Sequence, residues 1–292
     1  MIVGYPGFQS VILARFLTTK PLIFDAFLSM FDSMVLDRKK VALNSFRAKY
    51  FWWLDKISMS VADLVLIDTN EHKKYLSKEF GFSDKKIERV FIGADTDIFT
   101  PKEPRKSDGF FRVLFFGTYI PLQGIEYIIK AAKKLETRKD IKFEIIGKGQ
   151  EKDKILKLTS EMDILNINFV DSLPQRELQD RVAFADVCLG IFGNTEKTKR
   201  VIPNKVYECV AMKKAVITAD TLAERELFDE GELFFVKVAD ADSIVEAIIK
   251  LKENSSLLKS IAVSGYNKFT KEATPNRIGI YLLEIIKQKY GK

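Results

Sequence analysis

The chain has 292 residues, of which 47% are hydrophobic and 30% charged, a composition that excludes disorder and leaves room for two domains of ordinary size. A net charge of +7 favours an anionic partner. Lysines scattered over helix faces are ordinary solvated surface, however, so nucleic acid is not the partner expected. No apolar run reaches the length of a membrane span, and the first residues lack the basic-then-apolar order of a signal peptide. Cys188 falls in an apolar strand pattern and Cys209 in a helix, which predicts buried reduced thiols and a cytoplasmic protein.

Short apolar runs predict strands at residues 2–4, 22–24, 64–67 and 89–92, with helical periodicity over 10–17, 39–58 and 71–78. The segment from Phe24 to Ser33 follows a strand, so its polar groups belong at a ligand cleft. Asp25 is the candidate there for contact with an acceptor, and a turn or helix-capping role is the alternative. The single histidine, His72, opens a helix and reads as a surface or capping residue. In the pattern over 39–58, Leu43, Phe46, Tyr50, Trp53 and Ile57 form one stripe, while Phe51 and Trp52 lie off it beside Arg47, Lys49 and Lys56. A core-facing stripe with snorkelling lysines is the expected reading. Basic residues interleaved with aromatics also suit the surface of an anionic membrane, the second reading.

Residues 102–109 are polar, broken by proline and ended by glycine, and predict a linker. Beyond it, strands are predicted at 113–116, 142–146, 167–170, 187–190, 215–218 and 233–236, alternating with helices at 125–136, 152–162, 176–184, 204–212 and 223–228. This alternation predicts βαβ units, a parallel sheet and ligands outside the carboxyl ends of the strands. Gly117, Gly147 and Gly190 each follow a predicted strand, where a tight turn and close approach to a ligand both call for glycine.

The stretch from Val201 to Glu208 carries the most chemistry. Pro203 and Asn204 open a helix behind a basic loop containing Lys197, Lys199 and Arg200. A helix N-terminus presents unpaired N–H groups and the positive end of its dipole, a setting for phosphate. Lys205 and Glu208, three residues apart, project from the first turn on one face. A carboxylate cannot help to bind phosphate, but it can accept two hydrogen bonds from a vicinal diol such as a ribose. Phosphate plus ribose suggests a nucleotide. An exposed ion pair at a helix start is the competing reading of the two residues. No Cys, His or Asp cluster has metal-ligand spacing, and no cofactor is called for.

This helix, together with Phe115-Phe116-Gly117-Thr118, Ile145-Ile146-Gly147-Lys148-Gly149, Ala185-Asp186-Val187 and the segment from Ile92 to Pro101, resembles the donor-binding half of family 4 retaining glycosyltransferases (glycosyl transferases group 1). The resemblance implies an α/β, GT-B-like fold of two Rossmann-type domains with parallel sheets. It implies an acceptor-side domain over 1–101, a linker over 102–111, a nucleotide-sugar domain over 112–274 and a C-terminal helix over 275–292 packing back on the first domain. The first domain reads as incomplete, since relatives begin with a further strand and a glycine-containing loop. A strand at 2–4 would be left with an open edge, so the chain reads as a fragment, a mis-started reading frame or one half of a two-chain enzyme whose second chain supplies the absent elements.

By the same resemblance, the chain moves a sugar from a nucleotide diphosphate sugar to a saccharide or lipid-linked saccharide, with retention, in the cytoplasm or at the inner face of the membrane. Gly117, Thr118, Gln123, Gly147, Arg200, Asn204, Lys205 and Glu208 would form the donor site, with Asp25 and Lys205 in catalytic roles. Two departures stand out. Relatives place an arginine and a lysine on the diphosphate where this chain has Thr118 and Gln123, which leaves Lys205, aided by Arg200 or Lys199, to carry the charge. An earlier glutamate that contacts the donor sugar falls at Arg200. The alternatives are an inactive or partner-dependent subunit that binds nucleotide sugar and, with only His72 to serve it, a nucleotide-sugar epimerase.

Overall fold

Parallel strand pairing organises both halves of the chain. The computed structural model describes residues 1–103 and 108–291, and it contains one sheet of four strands and one of six. The chain divides into two units. The first comprises Met1–Ile92, Lys199–Ile202 and the residues from Ile278 on; the second comprises Gly93–Thr198 and Pro203–Arg277.

In the first unit, β1 (Ile2–Val3), α1 (Phe8–Leu17), β2 (Ile23–Phe27), α2 (Phe46–Val61), β3 (Leu64–Ile67), α3 (Asn70–Phe80) and β4 (Ile87–Arg89) follow in chain order. The strands lie in the order β1-β2-β3-β4, every pair parallel. Each residue of the Leu-Val-Leu-Ile run in β3 is buried, as expected for a strand covered on both faces. One face packs Phe24, Val65 and Ile67 against Phe8, Val11, Met59, Leu76 and Phe80 of the three helices.

The second unit runs β5 (Phe111–Phe116), α4 (Ile125–Lys134), β6 (Ile141–Ile146), α5 (Lys152–Glu161), β7 (Ile167–Val170), α6 (Gln175–Phe184), β8 (Val187–Leu189), α7 (Asn204–Ala211), β9 (Ala215–Ala219), β10 (Phe234–Val236), α8 (Ala241–Glu253) and α9 (Ser255–Glu272). Its sheet is parallel with strand order β10-β9-β8-β5-β6-β7, a Rossmann-type arrangement. The spacing of Ile125, Ile128, Ile129 and Ala132 puts one buried stripe of α4 on the sheet. Fully buried Phe115 and Phe143 each contribute on the order of 1.5–3 kcal/mol of apolar transfer free energy. The last helix, α10 (Pro275–Tyr290), lays Ile285 with Leu282, Ile286 and Tyr290 against Ile23, Leu64 and Leu66, on the other face of the first unit's sheet.

The two parallel sheets fit the fold class expected, and several local expectations are corrected. Helix α2 starts at Phe46 rather than near residue 39, because the side chain of Ser45 caps it by accepting from the Ala48 N–H at 3.2 Å. Ahead of it lies a π-helical turn, Asp32–Asp37. The aromatic stripe of α2 does not face the core. Phe46 is 91% exposed, and Leu43, Tyr50, Trp53 and Ile57 are exposed with it, whereas Ala48, Asp55, Ser58 and Met59 point inward. The helix predicted over 223–228 is a single 3-10 turn, Glu224–Glu226. Residues 104–107 of the expected linker lie outside the described residues.

Asp55 explains why α2 turns its polar side inward. Its buried carboxylate accepts from Ser29 Oγ at 2.6 Å and from the N–H groups of Met30 at 3.0 Å and Phe31 at 2.8 Å, fastening the chain after β2 to the helix. Asp55→Ala leaves two backbone donors without that acceptor, so urea unfolding should show a loss of about 2–4 kcal/mol. A loss under about 0.5 kcal/mol, the scale of an ordinary surface substitution, would show that the carboxylate does not hold this loop.

Candidate functional site

In the six-stranded sheet, the chain steps from β5 to β6 on one side, while β8 pairs with β5 on the other and leads to β9. The carboxyl ends of β5 and β8 therefore flank the topological switch point, where a crevice for ligands is expected. Gly117 follows β5 directly with φ +149°, and a Cβ there would lie 2.9 Å from Nζ of Lys205. Gly147 follows β6 with φ +145°, and a Cβ there would collide with the carbonyl oxygen of Gly117 at 2.0 Å. Both positions need glycine for conformation and for room.

Lys205, in the first turn of α7, is the side chain these glycines make room for. It is only 5% exposed. Its ammonium donates to Oε1 of the buried Gln123 at 2.5 Å and lies 3.6 Å from the centroid of the Phe115 ring. Burial pushes its pKa well below the ordinary lysine value, and the neighbouring Glu208 carboxylate works against that shift. Glu208, one turn further on and partly buried, is pushed up to about 7 by burial, with Lys205 pulling it down. The reading of these two as an ordinary exposed pair is thus corrected, because Gly117 opens space beneath the sheet end and α7 buries its Lys205 side. No side chain caps the start of α7, and Pro203 precedes it. Asn204 and Thr118 are exposed, and Gly147 and Gln123 are buried. Cys209 and Cys188 are buried free thiols, and burial drives the Cys209 pKa well up.

Arg200 sits elsewhere. Its segment belongs to the first unit, where the guanidinium donates to Asp32 Oδ1 at 2.5 Å and stacks 4.1 Å from the centroid of Tyr75. Its charge is engaged by a buried carboxylate in this structure, while the exposed Lys199 is its chain neighbour.

Around Asp32 lies a cluster that sequence reasoning missed. His72, expected at the surface, is fully buried, with Nδ1 2.8 Å from Asp68 Oδ1 and Nε2 4.0 Å from Asp32 Oδ2. Thr69 caps α3 by accepting from the His72 N–H at 3.0 Å and donates to the carbonyl of Arg200. The i,i+4 spacing of Asp68 and His72, straddling a strand-to-helix junction, was the signal available in the sequence. Asp25, on β2, is partly buried, and burial raises its pKa with a further push from Asp68. The register slips between Asp25 and Phe27, and Phe27 takes the left-handed φ of +58°. Such strain in a bulky residue at a strand end is the kind found beside ligand sites.

The two parallel sheets are of the GT-B-like type. Residues 97–268 match the family Glycosyl transferases group 1, and the chain belongs to that family. It is 24% identical over 134 residues to MMP alpha-(1->4)-mannosyltransferase of Mycolicibacterium hassiacum, covering 45% of this chain and 32% of that protein. It is 26% identical over 228 residues to N-acetylgalactosamine-N,N'-diacetylbacillosaminyl-diphospho-undecaprenol 4-alpha-N-acetylgalactosaminyltransferase of Campylobacter jejuni, covering 74% of this chain and 58% of that protein. The chain thus spans less than two thirds of the length of these curated relatives. Among solved structures, Anabaena HepE in complex with UDP superposes with a TM-score of 0.77 at 13% identity, over 98% of this chain and 78% of that one, a likeness of fold.

The buried ammonium makes a testable demand on stability. Desolvating it costs several kcal/mol, more than the roughly 1–3 kcal/mol of its hydrogen bond to Gln123. Lys205→Met should therefore be at least as stable as the wild type at neutral pH. Because the folded pKa lies below the unfolded one, the unfolded state binds the extra proton, and wild-type stability should climb with pH up to about 10.4, the ordinary lysine value. Lys205→Met should lack that climb. Thermal unfolding across pH reads both, and a marked loss of stability in Lys205→Met would make the lysine a structural element.

Proposed function

We propose that this chain binds a nucleoside diphosphate sugar in the crevice of its second unit and transfers the sugar, with retention, to a saccharide or lipid-linked saccharide. The observation that carries the reading is Lys205, an ammonium buried at the switch point and held against Gly117 by Gln123. A cation kept out of water and without a carboxylate in its hydrogen bond is poised to take a diphosphate, which would restore the charge partner that folding denies it. The uncapped start of α7 adds N–H groups and a dipole of the right sign. Glu208 then accepts from the ribose hydroxyls.

In the transfer, the bond between the anomeric carbon and the diphosphate oxygen breaks while one forms to the acceptor oxygen, on the same face of the sugar. The acceptor's proton ends on the departing diphosphate. Lys205 and the helix end stabilise the negative charge that grows there, the main contribution expected of the protein. Thr118 and Asn204 hydrogen-bond phosphate oxygens at the rim. Asp25 contacts the acceptor, with its position at the strained end of β2 and its raised pKa in support. The Campylobacter relative, whose acceptor is a diphospho-undecaprenol glycan by name, favours a lipid-linked acceptor. Binding without turnover is the second reading, favoured by the uncharged Thr118 and Gln123 where relatives carry cations.

Calorimetric titration with UDP, the nucleotide seen in HepE, tests the site. Glu208→Gln should weaken binding by about 1–3 kcal/mol, the scale of hydrogen bonds to a charged acceptor. Since a ribose donates to the ionised carboxylate and Glu208 titrates near 7, wild-type affinity should gain on that of Glu208→Gln as pH passes upward through 7, the titrations of Lys205 and of the UDP phosphate being common to both proteins. Equal affinity and equal pH profiles in the two proteins would move the ribose elsewhere. UDP binding combined with no transfer from any UDP-sugar would favour the second reading.

A further inference from the structure

The surface of α1 and α2 presents a feature that donor binding does not use. Phe46 is 91% exposed, and Tyr50, Trp53 and Ile57 continue from it along one face of α2 at helical spacing. On α1, Leu13, Phe16 and Leu17 are likewise exposed, the last two above 80% (83% and 84%). Gln9 lies one turn before Leu13 on the same stripe, and its Nε2 reaches Tyr50 Oη at 3.3 Å, so the two stripes adjoin as one surface. Scattered exposed apolar residues are normal; a continuous aromatic face on two packed helices is not.

Cationic charge predominates around this face; the half-buried Glu79 beside it accepts from the Trp52 indole N–H at 2.8 Å. From Met1 to Ala62, all described residues, no acidic side chain is exposed: Asp32, Asp37 and Asp55 are buried and Asp25 is partly so. Lys20, Lys39, Lys40, Arg47 and Lys49 are exposed over the same span, and Lys49 Nζ lies 5.9 Å from the ring centroid of Phe46, within the apolar stripe. The first exposed acid, Asp63, is neutralised by Arg15 at 2.5 Å. A surface that is aromatic, aliphatic and predominantly cationic complements an anionic lipid layer. Tyr50 and Trp53 supply the amphipathic rings that settle at the headgroup level. Among the described residues no helix is long and apolar enough to cross a membrane, so contact would be peripheral.

We propose that the exposed face of α1 and α2 docks the first unit on an anionic bilayer surface, with Phe46, Tyr50, Trp53, Phe16 and Leu17 entering the headgroup region and Lys39, Lys40, Arg47 and Lys49 meeting anionic headgroups. The inference stands apart from the donor-site reading, since it rests on different residues and predicts lipid binding without nucleotide.

Co-flotation of the full chain with vesicles tests it, using phosphatidylcholine alone and an equimolar mixture with phosphatidylglycerol. The wild type should float with the anionic vesicles, be released by high salt and bind phosphatidylcholine several-fold less. Phe46→Ser with Trp53→Ser should lower binding to anionic vesicles by about tenfold or more, and Arg47→Glu with Lys49→Glu should abolish the preference for anionic lipid. All four positions are exposed, so circular dichroism should be unchanged in both double variants, which gives each loss of binding a surface origin. Failure of the wild type to float with anionic vesicles would overturn the proposal, as would undiminished binding in both double variants. A concentration-dependent dimer abolished by Phe46→Ser with Trp53→Ser, without vesicle binding, would assign the face to a second copy and overturn it equally.

Discussion

An ammonium group held out of water at the end of a parallel sheet is the constraint on which the second unit is built. A side chain at Gly117 would crowd the Lys205 ammonium at 2.9 Å, and Gly117 can approach the neighbouring loop because Gly147 has none, a Cβ there striking the Gly117 carbonyl oxygen at 2.0 Å. Gln123 supplies a neutral acceptor and Phe115 the face of a ring, so the charge is met by dipole and quadrupole rather than by a counter-ion in the hydrogen bond. Such an arrangement costs stability, and a diphosphate would return it as binding. The position of Gln123 also gives the departure from the family pattern a physical sense, since a lysine there would face a second ammonium at hydrogen-bond range.

Much of this was legible in the sequence. Glycines directly after apolar runs located the ends of β5 and β6, and the proline-asparagine step located the start of α7 within a residue. Burial of Lys205 was not legible, because the spacing of Lys205 and Glu208 suits an exposed pair as well as a buried one. What decides between them is the space beneath Gly117, a tertiary fact. His72 escaped for the same reason: a residue in the first turn of a helix caps or solvates unless a carboxylate on the preceding strand end draws it inward, as Asp68 does.

The helix that carries Trp52 and Trp53 shows where periodicity reads a stripe correctly and its direction wrongly. Apolar spacing identified Phe46, Tyr50, Trp53 and Ile57 as one face, but the buried face is the one with Ala48, Asp55, Ser58 and Met59. Asp55 forces that choice, because its carboxylate must reach Ser29 and the Met30 and Phe31 amides, and the aromatics then face outward. The inward face of α2 is thus the one that carries Asp55 and its partners, and the aromatic stripe is left at the surface. In the same unit, Asp32 binds Arg200 from the segment that leads into α7, so the residues flanking the proposed donor helix have two distinct employments, Arg200 within a buried charge cluster and Lys205 in the crevice.

The ionisation of Lys205 itself tests the central claim most directly. Nitrogen-15 NMR of the lysine side chains, with Lys205→Met identifying the signal, reports its pKa in the free protein and with UDP bound. The value expected in the free protein lies well below the ordinary 10.4 and returns upward when the diphosphate supplies the missing counter-charge. An ordinary pKa in the free protein, unchanged by UDP, would contradict it.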